Sequence, residues 1–146
     1  MNSMLNHARW LLCPLITVSL HTRAQQTSVL FIGNSYTAVN DLPNTFRQLA
    51  LSLGDTVNLA MSAPGGYTFE DHAGYAPTLD AIASQPWDFV VLQEQSQLPA
   101  WFDVETTMAY ATVLSQLIEA NDECTWPVFY MTWGRKNGDA GNCAGW

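Results

Sequence analysis

The sequence predicts an α/β protein built on a parallel, doubly wound sheet. Three observations carry this. Short apolar runs recur along the chain, helical apolar patterns separate them, and polar or glycine-rich residues follow each run. Short continuous apolar runs suit strands buried on both faces, which is the condition of a parallel sheet. Strand–helix alternation is the signature of βαβ units.

Ser28 to Ile32 (SVLFI) is the first such run and ends at Gly33. Asp41-Leu42-Pro43 reads as a helix start, with Asp41 as the cap and Pro43 in the first turn. Phe46, Leu49, Ala50 and Leu53 then fall on one helical face, and Gly54 closes the helix. Thr56 to Met61 (TVNLAM) is the second strand, followed by a Gly- and Pro-bearing loop over residues 62–72. Tyr75, Leu79, Ile82 and Ala83 form another helical face that Pro86 ends. Asp88 to Gln93 (DFVVLQ) is the third strand, Thr106 to Ala120 a helix offering Met108, Ala111, Val113, Leu117 and Ile118 for packing, and Val128 to Met131 (VFYM) the fourth strand.

Composition narrows the function classes. Hydrophobic residues make up 48% and charged residues 12% of 146 residues, enough apolar surface for one domain with a real core. Residues 1–24 read as a signal peptide: Arg9 precedes the apolar run Trp10–Leu20, and Ala24 offers a small residue for cleavage. The run is shorter than the ~20 residues a membrane span needs. The protein is therefore expected to be exported, periplasmic or extracellular, with residues 25–146 as its domain and no transmembrane span in the mature chain. Arg9 and Arg23 leave with the signal, so three cations face 13 acids and the net charge is near −10. Such a surface repels phosphate backbones, and nucleic acid is not an expected partner. Cys124 and Cys143 can pair with each other in an oxidising compartment or with other cysteines, and the sequence leaves both open.

In doubly wound sheets, ligands bind at the carboxyl ends of the strands. After the first strand stands Gly33-Asn34-Ser35-Tyr36-Thr37, where a serine on a tight turn offers both a hydroxyl nucleophile and its own N–H. After the second stands Ser62-Ala63-Pro64-Gly65-Gly66-Tyr67-Thr68, whose glycines allow close backbone approach. After the third stands Gln93-Glu94-Gln95-Ser96-Gln97, where a side-chain amide can donate to an oxyanion. Each segment alone is as well explained by an ordinary cap or turn. Their order along successive strands makes them a candidate site.

These segments resemble the blocks of the SGNH (GDSL-type) serine hydrolases. Val29 to Thr37 is similar to the first block, with Asn34 in place of the usual Asp. Gly65-Gly66 resembles the second, and Val91 to Ser96 the third, departing from its usual Gly-x-Asn-Asp. The resemblance spans residues 28–146. It implies a three-layer, flavodoxin-like parallel sheet, here truncated after about four strands, and hydrolysis of acyl or acetyl esters, including esters on carbohydrate. Ser35 is then the nucleophile, with Gly66 N–H and the Gln95 amide completing the oxyanion hole and Gln93 as the second candidate. Small-molecule or glycan esters are the implied substrates, and no cofactor or metal is implied. The family's base lies in an Asp-x-x-His block, which these 146 residues lack. The expectation is a front part of a longer esterase with little turnover of its own.

Two other readings remain open. One is a degenerate SGNH domain that binds a glycan or acyl ligand, with Tyr67, Trp87, Trp101 and Trp133 available to stack on sugars. The other is a metal hydrolase using Glu70, Asp71 and His72, although adjacent residues do not converge on one ion. His72 itself is expected on a surface loop.

Overall fold

A computed structural model of the chain describes residues 26–99 and 104–132. The expected signal peptide, and Trp101, Trp133 and Cys143, lie outside the described residues. Among the described residues four parallel strands form one sheet: β1 (Thr27–Ile32), β2 (Val57–Ser62), β3 (Phe89–Leu92) and β4 (Trp126–Phe129), in spatial order β2-β1-β3-β4. All three pairings are parallel. Between β1 and β2 run α1 (Ser35–Ala38) and α2 (Leu42–Ser52), between β2 and β3 α3 (Phe69–Gly74) and α4 (Ala76–Ala83), and between β3 and β4 α5 (Val104–Asn121). The α/β class with a parallel sheet is as the sequence predicts.

Strand alternation divides the apolar residues between two faces. Leu30, Ile32, Val90 and Leu92 stand in register on one face and pack with Phe69 of α3, Ile82 of α4, Trp87, and Ala111, Leu114 and Ile118 of α5. Phe31 points to the other face and meets Phe46 of α2 edge-on, ring centroids 6.0 Å apart. Burial of the first cluster is nearly complete, and at about 1.5–3 kcal/mol per large side chain it is the main source of stability.

The structure corrects several expectations. Residues 62–72 are not all loop, because Phe69 begins α3. Thr68 and Asp71 form a reciprocal capping box at its start, and Phe69 is buried. β4 sits two residues earlier than expected and contains Pro127, which is tolerated because β4 is an edge strand among the described residues and one side needs no ladder donor there. On α5 the buried stripe is Thr107, Ala111, Leu114 and Ile118, so Met108, Val113 and Leu117 fall on its flanks and are exposed. Leu49 of α2 and Leu53, which caps it, are also exposed, since α2 packs over β2, among the described residues an edge strand that ends the surface beneath it. Trp87 is buried with its Nε1 donating to the Ala81 carbonyl at 3.0 Å, which removes it from any sugar-stacking role.

Candidate active site

β1 leads outward to β2 and its other neighbour β3 leads outward to β4, so the two connections diverge, which is the arrangement that makes a crevice beyond the carboxyl ends of β1 and β3. Ser35 lies there as the first residue of α1 and is exposed. Among the described residues its N–H has no hydrogen-bond partner. A hollow of about 360 Å³ beside it is lined by Ser35, Tyr36, Val39 and Asn40. Asn40 and Asp41 both take positive φ (62° and 50°), a conformation Asn and Asp tolerate better than other side chains, and this swings the chain from α1 into α2.

The residue before Ser35 is bonded at every polar atom. The Asn34 N–H donates to Gln93 Oε1 at 3.0 Å, and Asn34 Nδ2 donates to the Tyr67 carbonyl at 2.9 Å. Asn34 Oδ1 accepts from the Tyr36 N–H at 3.1 Å, and its carbonyl accepts from the Thr37 and Ala38 N–H groups at 3.0 Å each. Gly33 fits because it has no Cβ: one placed there would come within 2.4 Å of Thr37 Oγ1 and 2.7 Å of Gln93 Oε1.

His72 is not on a surface loop. It lies on α3 and is fully buried, a position open to it because both ring nitrogens find protein partners. Nε2 is 2.8 Å from the Gly33 carbonyl, and Nδ1 is 2.7 Å from Thr78 Oγ1. A carbonyl only accepts, so Nε2 carries the proton and Nδ1 accepts from the Thr78 hydroxyl. Thr78 Oγ1 accepts in turn from Ser62 Oγ at 2.7 Å. Burial lowers the His72 pKa, against the opposing pull of the Gly33 hydrogen bond and the Asp71 charge. With both nitrogens spent inside the protein, His72 is neither a base for Ser35 nor, with Glu70 and Asp71, a metal-ligand set.

The three expected oxyanion donors differ in setting. Gly66 is exposed in a turn with φ 77°. Its neighbour Tyr67 is the residue that Asn34 holds. Gln95 is half-buried, and its Oε1 accepts from the N–H groups of Gln97 (2.7 Å) and Leu98 (3.2 Å). That occupies the carbonyl end of its amide and leaves Nε2 unpartnered among the described residues. Gln93 is fully buried: Oε1 also accepts from Thr37 Oγ1 at 2.9 Å, and Nε2 donates to the Glu94 carbonyl.

Glu94 is a residue that sequence reasoning missed. It is buried, and its carboxylate accepts from the Phe69 N–H at 3.0 Å and the Gln95 N–H at 2.6 Å, joining the start of α3 to the segment after β3. Burial raises its pKa, those two N–H groups pull it down, and the Asp71 charge raises it. It borders a pocket of about 400 Å³ at the ends of β3 and β4, shared with Phe69, Leu92 and Phe129. That pocket is larger than the hollow beside Ser35, but Ser35 does not line it. Exposed Cys124 has no disulfide partner among the described residues, Cys143 lying outside them. None of the described helices is long and apolar enough to cross a membrane.

No family model, no curated protein and no solved structure matches the chain.

Proposed function

We propose that the chain carries the nucleophile and oxyanion half of an SGNH-type serine esterase, acting on acyl or acetyl esters that include those of carbohydrates. The observation that carries this is the exposed Ser35 at the carboxyl end of central β1, its N–H unpartnered among the described residues while every polar atom of Asn34 is bonded. The strand order β2-β1-β3-β4 agrees with the first four strands of a flavodoxin-like sheet.

In this reading Ser35 Oγ attacks the ester carbonyl carbon. Negative charge develops on the carbonyl oxygen and is held by the Ser35 N–H, the Gly66 N–H and Gln95 Nε2. The alcohol leaves with a proton, and water then hydrolyses the acyl-serine. The proton transfers need a His oriented by an acid, and none of the described residues supplies one to Ser35. Esterase turnover by these 146 residues is therefore slow, because an alcohol nucleophile without a base stays protonated. Export after removal of residues 1–24 belongs to the same reading.

The test is fluorophosphonate labelling of the purified chain with 4-nitrophenyl acetate as the turnover substrate. Labelling at Ser35 that Ser35→Ala abolishes, with unchanged thermal stability, supports the esterase reading. Without a base the labelling is slow, so it is followed over long incubation beside the unfolded chain; labelling of Ser35 no faster in the folded than in the unfolded chain, or labelling that persists in Ser35→Ala, overturns it. Sequencing the source locus past the Trp146 codon looks for a further strand and an Asp-x-x-His block.

A second reading, a non-catalytic ligand-binding domain, is favoured by the inward-facing His72 alone. It requires glycan or acyl-ligand binding that survives Ser35→Ala.

A further inference from the structure

We propose that His72 and Gln93 are positioning residues that fix the direction of the Ser35 N–H by gripping the Gly33–Asn34 peptide at its two ends. The role of that N–H rests on the esterase reading above, whereas the grip itself does not.

The peptide's carbonyl, on Gly33, accepts from His72 Nε2 at 2.8 Å, and its N–H, on Asn34, donates to Gln93 Oε1 at 3.0 Å. Both gripping side chains are 0% exposed. They come from different parts of the fold, His72 from α3 and Gln93 from the end of β3. Neither can swing away cheaply, since a buried carbonyl or N–H left without a partner is costly. Gly33 leaves no slack, because Gln93 and Thr37 already crowd the space a Cβ would take.

A peptide held at both ends cannot flip. The next peptide is held through the Asn34 carbonyl, which accepts from two N–H groups of α1. Among the described residues the first unpartnered donor after these anchors is the Ser35 N–H, so its direction follows from the grip on the Gly33–Asn34 peptide together with the hold on the Asn34 carbonyl. An oxyanion donor is useful only when aimed before the charge appears, and misplacement by about 1 Å costs on the order of 10²-fold in rate.

The chain of donors also has a single sense. Ser62 donates to Thr78, Thr78 to His72 Nδ1, and His72 Nε2 to Gly33. Reversing it would point a hydrogen at neither lone pair of the Gly33 carbonyl. Thr78 thereby selects the imidazole tautomer that can grip.

The test begins with ¹⁵N-labelled full chain. The His72 ring nitrogens are expected to show a proton on Nε2 and none on Nδ1. A proton on Nδ1, alone or with Nε2, at neutral pH overturns the proposal without any variant being made. Two variants follow, compared under conditions where circular dichroism shows each folded. His72→Gln keeps an N–H donor at similar reach and should retain the wild-type fluorophosphonate labelling rate within a few fold. His72→Leu should lose about 10²-fold and should broaden the Gly33, Asn34 and Ser35 amide signals while sparing those of α5. A folded His72→Leu with wild-type labelling and sharp amide signals overturns the proposal. If wild-type Ser35 labels no faster folded than unfolded, the esterase reading fails, and the tautomer and the amide signals still decide the grip.

Discussion

Asn34 donates from its side-chain amide to the Tyr67 carbonyl at 2.9 Å, tying the turn after β1 to the loop after β2. Tyr67 follows Gly66 directly, so one hydrogen bond sets the spacing between two of the three proposed oxyanion donors. An aspartate at position 34 has no N–H to offer and would face the carbonyl with an acceptor.

Asn34→Asp is therefore expected to destabilise the fold by about 1–3 kcal/mol, the usual range for a buried polar partner left unsatisfied. Urea unfolding monitored by tryptophan fluorescence checks this, and an unchanged midpoint would show that the tie contributes nothing.

Gly33→Ala brings a Cβ to 2.4 Å from Thr37 Oγ1 and 3.1 Å from Gln93 Cβ. Since Gln93 is anchored at both ends of its amide, the clash cannot be relieved by a simple rotation. Overpacking of this kind costs about 1–3 kcal/mol. The lowered midpoint should be accompanied by slower Ser35 labelling, because the displaced groups hold the turn.

Much of the fold was legible in the sequence, for identifiable reasons. β1 carries a near-continuous apolar run because both its faces are covered toward its carboxyl end, and such a run reads clearly, while β3 keeps the run although Phe89 on one of its faces is exposed. The α3 helix was missed because Gly65, Gly66 and Pro64 dominate the composition of its approach, although Thr68 with Asp71 is a capping pattern a closer reading can find. The site was legible only as far as Ser35 and its neighbours along the chain. That Gln93 grips Asn34, or that His72 faces the Gly33 carbonyl, depends on partners 59 and 39 residues away, which no local pattern encodes.

Stability should depend on pH through two groups of opposite sense. His72 has its folded pKa below the ordinary 6.5, so the native state favours the neutral ring. Its contribution is complete above about pH 6.5 and declines as pH falls toward the folded value. Glu94 has its folded pKa above the ordinary 4.5, so its contribution is complete below that pH and is lost as pH rises through the folded value. The difference in unfolding free energy between wild type and His72→Gln should therefore rise with pH up to about 6.5. The difference between wild type and Glu94→Gln should fall as pH rises above 4.5. Denaturant titrations at a series of pH values test both signs.

Thr107 presents a buried hydroxyl with no hydrogen-bond partner among the described residues, on the stripe of α5 that faces the core. Thr107→Val keeps the shape and removes the unsatisfied group. A gain of about 1 kcal/mol is expected, read as a rise in Tm. A loss of similar size would mean that the hydroxyl holds a bound water or ligand.

The turn that carries Ser35 is assembled from three separated segments, joined by contacts that span 33, 39 and 59 residues of chain. Each contact requires a large loop to close, and such closures are late and entropically expensive in folding. Ser35 reactivity is thus a property of the completed molecule rather than of its local tetrapeptide. In a denaturant series, its labelling should vanish together with the global transition, making this one serine a chemical reporter of whether the whole sheet has formed.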